Sequence, residues 1–394
     1  MLNRRILRVK AFQNLYAYEQ CRASNLNLAK DKIREAFLPD LNTMEVQDKG
    51  LLKKEAAQAV ELFTDNLNRD TFHLGGQTNE KIISEVKNAL NFYYSANKKD
   101  FDFLSKNMVT SAERIPQLYL FAIEILLAFG NHVALEVEKK RKFASEKGVM
   151  NHGELNLSKN KILNKIKNSP EFKTASIRQV ANIDDLELEI KEWYRDYVKP
   201  LESYQMYLKI DEPSLEDDFE IADNILKKVI FKIDAILNYF SEKDLNWTEN
   251  KSVVRSLASK VLKNIKENFE VEGELLPEIA LNWEEDKEFF QNIFNLTVEN
   301  DDINKDLIAK RTQNWDIERI AQTDKIILSM AITEMKNFAS IPVKVTINEY
   351  IDISKTYSTP KSKQFVNGLL DVLSKELTQN GQIRKSGRGL LDNK

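Results

Sequence analysis

The chain contains 394 residues and has a formal net charge of −3, from 58 basic and 61 acidic side chains. The length suggests about two to three domains. The near balance of charge excludes a protein that binds nucleic acid through a general basic excess, so any such binding must depend on local clusters. Only 11 glycines and 8 prolines, with 42% hydrophobic and 30% charged residues, predict an almost entirely helical soluble protein with little sheet.

The first nineteen residues predict an amphipathic helix with a basic start. Its apolar face has helical spacing and consists of Ile6, Val9, Phe12, Leu15 and Tyr16. Four cations precede the first acid: Arg4, Arg5, Arg8 and Lys10. Cations at a helix N-terminus oppose the macrodipole by about 0.3–1 kcal/mol each, so a phosphate partner explains the cluster better than stability does. The alternatives are a mitochondrial-type presequence and a chance solvated face, but the core-forming aromatics and Glu19 argue against a cleavable peptide.

Residues 23–274 predict further helices, because most long segments place apolar residues at steps of three and four. These segments are 44–68, 79–96, 111–147, 158–167, 184–209, 217–241 and 251–268. The run 118–129 is unusually apolar, but it is shorter than the roughly 20 residues of a membrane span and contains Glu124. We therefore expect it to be a central core helix of this part of the chain.

Catalytic chemistry has little support in the sequence. The three histidines, His73, His132 and His152, have no metal-ligand spacing to one another or to the single cysteine, Cys21. The sequence has no Walker-type phosphate loop, no G-x-G-x-x-G after a strand and no G-x-S-x-G. We therefore predict no enzyme, no metal and no cofactor. One free cysteine and no apolar signal segment predict a cytoplasmic protein.

Three helix starts are predicted near the C-terminus. Thr323 is expected to cap a helix with Asp324 in its first turn. Thr346 stands three residues before Glu349, a spacing that predicts a second start near Thr346. A third is predicted at 358–360, where hydroxyl residues precede a proline. The polar and basic corner 357–363 can meet phosphates through hydroxyls, helix-start amides and ammonium groups. An ordinary solvated turn is the alternative, and the residues alone favour it.

Segments 1–19, 314–335 and 341–371 together resemble the NusB family of RNA-binding transcription antitermination factors. The matching motifs are an arginine-rich helix with a Q-x-L-Y step, a tryptophan-led run from Trp315 through Asp324, and the 341–349 and 361–371 blocks. The resemblance implies an all-α, NusB-like helical bundle, made of two packed three-helix-type bundles, with a large additional helical insertion. The expected domains are 1–22 plus approximately 275–380 for the NusB-like part, 23–274 for the insertion, and 381–394 for a basic flexible tail.

The family implies a factor that binds boxA-type single-stranded RNA with the small-subunit ribosomal protein NusE. Such a factor acts on the RNA polymerase elongation complex, particularly on ribosomal RNA operons, and needs no membrane. The resemblance places the RNA contacts at Arg4, Arg5, Arg8, Tyr16, Lys344, Lys361, Ser362 and Lys363. Tyr16 could instead be a buried structural tyrosine. Asp324 matches an acid on the partner-docking face, although it could equally be only a first-turn acid.

Two other functions are alternatives. A protein-interaction scaffold would keep the NusB-like fold and partner docking without binding RNA. An RNA cytosine methyltransferase, which can carry a NusB-like module, is not expected, because the module ends near the end of this sequence. The chain also departs from the family pattern, with Lys361 in place of an acid and Gln364 in place of the usual lysine. Phosphate contact is retained, but the RNA sequence preference is put in doubt.

Overall fold

The structure, a computed structural model, describes residues 3–42, 46–69, 71–143, 152–271, 273–312 and 320–393. Every regular element in these ranges is helical, and none of them contains a strand. The prediction of an all-α fold is confirmed. The tryptophan-led motif at 315–319 lies outside the described residues.

The α-helices vary from single turns to more than nine turns. In chain order they are α1 Arg4–Ala36, α2 Lys49–Asn66, α3 Glu80–Glu113, α4 Ile115–Phe143, α5 Asn156–Lys159, α6 Lys161–Asn168, α7 Pro170–Arg178, α8 Glu187–Trp193, α9 Glu202–Tyr207, α10 Leu215–Ile225, α11 Asp234–Lys243, α12 Trp247–Glu267, α13 Trp283–Glu299, α14 Asp301–Arg311, α15 Gln322–Asn337, α16 Val343–Tyr357 and α17 Ser362–Gln379.

The chain divides into two compact units. The first comprises residues 1–7 and 110–286, and the second comprises residues 8–109 and 287–394. These bounds differ from the domains expected from the sequence, which ended the first NusB-like segment at residue 22. Because α1 is one continuous helix to Ala36, no break in the chain separates the resembling segment from the residues that follow it.

The second unit contains a three-helix core formed by the C-terminal half of α1, by α2 and by the start of α3. Its buried side chains are Ala29, Ile33, Phe37, Ala59, Leu62, Phe63, Ile82, Val86, Ala89 and Leu90. Asp48 caps α2 by accepting from the amides of Gly50 and Leu51, which is the usual way to satisfy free helix-start donors. The rings of Phe63 and Tyr93 meet edge to face with centroids 6.4 Å apart. Residues 8–109 of this unit thus have an apolar centre of their own.

The same unit contains a second bundle built around α15. This helix packs against α14, α16 and α17, and its residues from 326 to 335 are all buried. The predicted stripe of Ile327, Met330, Ala331 and Met335 is fully buried. Burial extends around the whole helix, which identifies α15 as the central helix of this bundle.

The C-terminal residues pack against this bundle, contrary to the predicted flexible tail. The Ser386 amide donates to the Ala339 carbonyl at 3.0 Å, and Lys385 Nζ donates to the Phe338 carbonyl at 2.9 Å. Ile383 is buried, and a short 3₁₀ helix covers Gly387–Asn393. The basic composition suggested a solvated tail, but backbone hydrogen bonds and one apolar anchor hold it in place.

The first unit has a core centred on α4, the helix that contains the apolar run 118–129. Most of that run is buried, and α4 packs against α12, α5 and α8. The helical stretch Glu80–Lys142 contains an 18-residue window apolar enough to cross a membrane, but 72% of the window is buried inside the structure. The burial matches the expectation of a core helix.

Two segments predicted as continuous helices are interrupted by π-helical turns in the first unit. In 184–209, α8 passes into a π-helical turn at Tyr194–Val198 before α9 begins. In 217–241, a π-helical turn at Leu226–Ile230 separates α10 from α11. Apolar residues continue at steps of four across the second turn, at Ile225, Val229 and Ile233. The spacing that predicted a continuous helix is therefore also present where the helix is interrupted.

Val180, just after α7, has a left-handed backbone conformation with φ of 53°. Its amide donates to the Ile177 carbonyl, and the Ala181 amide donates to the Ser176 carbonyl. This pair of bonds is the Schellman helix ending, in which the left-handed position is usually glycine. For a residue with a Cβ atom that conformation costs roughly 1–2 kcal/mol. The Val180 side chain is exposed, so packing does not offset the strain.

We expect Val180→Gly to stabilise the first unit by about 0.5–1 kcal/mol. Glycine removes the Cβ clash, but it also raises the entropy of the unfolded chain, which cancels part of the gain. Urea denaturation followed by circular dichroism measures the change. The control is Ile177→Ala, an exposed neighbour inside α7, with an expected change of at most about 0.5 kcal/mol. A destabilised Val180→Gly would contradict the strain argument.

Candidate nucleic-acid interface

A buried ion pair joins α1 to α15. Arg8 donates through Nε and Nη2 to the two carboxylate oxygens of Glu334, both at 2.7 Å. Arg8 is 3% exposed and Glu334 is fully buried. Two parallel bonds between a guanidinium and a carboxylate form the strongest geometry for this pair. The guanidinium carbon also lies 5.1 Å from the centre of the Phe289 ring.

Helix α16 completes the network around the Glu334 carboxylate. Thr346 donates its hydroxyl to Glu334 Oε1 at 2.8 Å, and Tyr350 donates its hydroxyl to Oε2 at 3.1 Å. Burial raises the pKa of Tyr350 well above its usual range, and the Glu334 charge raises it further. Burial alone would lower the pKa of Arg8, but the hydrogen bond and charge of Glu334 outweigh it, and the pKa is raised. Arg8 and Tyr350 therefore stay protonated.

This network corrects the predicted start of α16. The helix begins at Val343, three residues before the expected capping threonine, and its N-cap is Pro342 without a side-chain cap. Thr346 is fully buried. Its hydroxyl donates to Glu334 of another helix. As a local cap, it would instead have accepted from the amide of residue 349. The S/T-x-x-E spacing matched the capping motif, but the Thr346 hydroxyl bonds Glu334, which is distant in sequence.

Arg8 was expected to contact phosphate, and its position does not fit that role. The side chain is buried, its hydrogen bonds go to Glu334, and its Nη1 lies 3.6 Å from the Glu349 carboxylate. Lys10, another cation of the predicted basic start, is also fully buried. The basic cluster at the start of α1 is thus partly a set of core residues, and the macrodipole argument could not separate exposed from buried cations.

Arg4 and Arg5 belong to the first unit, within residues 1–7. Arg4 forms ion pairs with Glu285 and Asp286, two first-turn acids of α13. Its Nε lies 3.3 Å from the Asp286 carboxylate. Arg5 is exposed. Arg4 is half-buried, so Arg5 is the more exposed of the two cations.

The corner between α16 and α17 presents its cations to solvent. Lys361 and Lys363 are exposed, and neither forms an ion pair with a described residue. Lys344, in the first turn of α16, is also exposed. Helix α17 begins at Ser362 with Lys361 as its N-cap residue, so the start predicted at 358–360 was early. Ser358 instead ends α16.

Ser362 and Asp324 are buried and bonded to each other. Ser362 is 2% exposed and Asp324 is 5% exposed, and the Ser362 hydroxyl donates to Asp324 Oδ2 at 2.7 Å. Thr323 does not cap α15, which begins one residue earlier at Gln322. Its hydroxyl instead pairs with that of Ser358 at 2.8 Å. The residue expected on the partner face and a residue expected to contact RNA therefore meet inside the bundle.

Tyr16 lies on α1 and is 39% exposed, so it is not the buried structural tyrosine that was the alternative. Leu15, the residue before Tyr16, lines a shallow groove. The groove is also lined by Glu19, Asp301, Lys305, Gln322 and Lys325, among others. Arg22 bridges the Glu19 and Asp301 carboxylates at 3.0 and 2.7 Å. This cluster was not predicted from the sequence. Its local signals were two spacings, Glu19 to Arg22 and Asp301 to Lys305, but no local signal joined the two pairs.

The arrangement suits phosphate contact by exposed ammonium groups on a hydroxyl-rich corner. No group of three or more potential metal-ligating side chains occurs among the residues that the structure describes.

Comparison with known proteins gives the family. The model of the NusB family matches residues 252–375. A transcription antitermination protein NusB of Salinibacter ruber is 35% identical over 144 residues, which is 35% of this chain and 90% of that protein. One from Bacillus cereus is 39% identical over 106 residues and 82% of its length. The chain belongs to the NusB family.

A third NusB relative, from Chloroherpeton thalassium, is 42% identical over 118 residues, which is 30% of this chain and 56% of that protein. No solved structure is found to match the chain. The relatives are named as transcription antitermination proteins, which confirms the prediction that this is not an enzyme. The NusB model does not match α1, yet Arg8 of α1 binds Glu334 inside the matched range. Much of the chain lies outside the NusB match, as expected for a long member.

We expect Arg8→Ala to lower the free energy of unfolding by about 3–5 kcal/mol, because it leaves the Glu334 carboxylate buried without its cation. Chemical denaturation measures the loss. Arg5→Ala, an exposed position on the same helix, is the control and should change stability by at most about 0.5 kcal/mol. The double variant Arg8→Met/Glu334→Leu should lose less than Arg8→Ala, since neither charge of the pair remains. Unchanged stability in Arg8→Ala would refute the structural role.

Proposed function

We propose that this NusB-family chain is an antitermination factor that binds boxA-type single-stranded RNA together with NusE. Acting in the bacterial cytoplasm, it would support the RNA polymerase elongation complex on ribosomal RNA operons. The observation that carries the RNA part is the exposed pair Lys361 and Lys363 at the start of α17, unpaired with any described residue. Phosphate contacts supply most of the affinity of such complexes.

The structure reorders the residues expected to touch RNA. Lys344, Lys361 and Lys363 are exposed and are proposed as phosphate contacts, with Tyr16 as a stacking surface for a base. Arg5 is proposed as a further contact, and Arg4 would contact RNA only by leaving Glu285 and Asp286. Arg8 and Ser362 are proposed to support the surface from inside, because both are buried.

A scaffold that docks NusE without RNA remains the competing function. Its support is that three residues expected to contact RNA, Arg4, Arg8 and Ser362, already have partners within the chain. The two functions differ in one measurable way. Phosphate contacts make affinity depend on salt with a slope of about −0.7 per contact on single strands, whereas a scaffold gives no such binding to measure.

We expect Lys361→Glu/Lys363→Glu to weaken binding of a fluorescent boxA-like RNA by at least about tenfold. The magnitude of the slope of log K against log salt should fall by about 1.4, corresponding to two lost contacts. Fluorescence anisotropy with and without purified NusE, across a salt series, gives both quantities. NusE should strengthen binding by the wild-type protein.

The matched control is Lys53→Glu/Lys54→Glu, which makes the same charge change at two exposed positions of α2. It should reduce affinity much less than the corner variant and leave the slope nearly unchanged. Equal losses in both variants would mean that only net charge matters and would contradict a defined corner site. NusE binding without RNA binding by the wild type would favour the scaffold.

A further inference from the structure

Among the described residues, the Asp324 side chain hydrogen-bonds only to Ser362. Its Oδ2 accepts the Ser362 hydroxyl at 2.7 Å, while its Oδ1 is buried and has no hydrogen-bond partner. The side chain is 5% exposed. A docking protein would have to open the bundle to reach either oxygen. The family resemblance places this acid on the partner face, but the side chain faces inward.

The Asp324 carboxylate fixes the direction of a chain of hydroxyls. A carboxylate only accepts, so the single Ser362 proton goes to Asp324. Ser358 and Thr359, whose oxygens lie 3.0 and 2.8 Å from that of Ser362, must then donate to Ser362. Because the Ser358 proton is used, Thr323 must donate to Ser358 across their 2.8 Å contact. One acid thus orients four hydroxyls where α15, α16 and α17 meet.

These hydroxyls lie beside the start of α17, which has no side-chain cap of its own. The N-cap residue Lys361 makes no side-chain cap bond, and the Ser362 amide donates instead to the Thr359 carbonyl at 2.9 Å. The buried Ser362 side chain stands between exposed Lys361 and exposed Lys363. Successive helical residues point about 100° apart. Fixing the Ser362 side chain inward therefore directs both ammonium groups outward.

We propose that Asp324 is a positioning residue of the RNA-binding corner, which acts through Ser362 to hold Lys361 and Lys363 toward solvent, and is not a contact for the protein partner. The inference rests on the proposed function. It gives Asp324 and Ser362 the same role, which is to position the two lysines. It also means that the partner surface does not include Asp324.

The charge and the hydrogen bond of Asp324 predict opposite effects on RNA affinity when Asp324 is replaced. A negative charge close to the lysines repels phosphate, so removing it would strengthen RNA binding if electrostatics alone mattered. Removing the acceptor instead frees the Ser362 hydroxyl and loosens the corner. Asp324→Asn removes the charge but keeps an accepting oxygen, whereas Asp324→Ala removes both. The two variants therefore separate position from charge.

The experiment measures boxA-like RNA and NusE binding by full-length variants, each checked for folding by circular dichroism. Asp324→Ala should weaken RNA binding about fivefold to tenfold, as expected for loss of one charge-assisted hydrogen bond, and should leave NusE binding within about twofold. Asp324→Asn should bind RNA within about twofold of wild type. Ser362→Ala should match Asp324→Ala, and the double variant should lose no more than either, because the pair acts as one unit.

Thr333→Val controls for general destabilisation. Thr333 is buried on α15 and accepts from Asn304 Nδ2 at 3.1 Å, and it lies nine residues beyond Asp324, about 13 Å along the helix. It should leave RNA binding unchanged. A loss equal to that of Asp324→Ala would overturn the proposal. So would loss of NusE binding alone, or stronger RNA binding in both Asp324 variants.

Failure of the two proposals can be told apart. A wild-type protein that binds no boxA-like RNA, with or without NusE, overturns the proposed function and this inference with it. A wild-type protein that binds RNA in the expected salt-dependent way, combined with the wrong pattern in the Asp324 series, overturns only the positioning role.

Discussion

The Arg8–Glu334 ion pair is the contact on which the second unit depends. It joins α1 to α15, and through Thr346 and Tyr350 it also fixes α16. All four lone-pair directions of the buried carboxylate therefore find donors, which is the condition under which a buried charge is tolerated. The pair is directional, unlike apolar packing. It sets the rotation of α1 about its axis, and this rotation decides that Tyr16, two turns further along, is partly exposed.

The fold was predictable where periodicity and composition carried the information. Scarce glycine and proline predicted helices, and the apolar stripe of α15 and the core position of α4 followed from spacing alone. Helix starts were less predictable. Thr323, Thr346 and Ser358 all have capping chemistry, yet each hydroxyl bonds a residue of another helix. A hydroxyl that can cap locally can equally be used across helices, and the choice depends on tertiary contacts that the sequence pattern does not contain.

The candidate site was predictable as a set of residue types but not as a surface. Charge counting placed Arg8 with Lys361, although one is buried against Glu334 and the other is exposed. The spacing of Arg8 from Leu15, seven residues, puts it on the apolar side of α1, and this was the available sign of burial. No local sign existed for the Ser362–Asp324 bond, because 38 residues separate the partners.

Internal pairing decides which cations can serve a nucleic acid in a chain with a net charge of −3. Arg4 has Glu285 and Asp286, Arg8 has Glu334, and Arg22 has Glu19 and Asp301. Each arginine thus meets an acid contributed by a distant part of the chain. Lys361 and Lys363 differ from these arginines. The acid bonded to the intervening Ser362 is Asp324, and its side chain faces inward and accepts from Ser362. A locally positive corner can therefore persist on an acidic protein, since its counter-charge is buried beneath it.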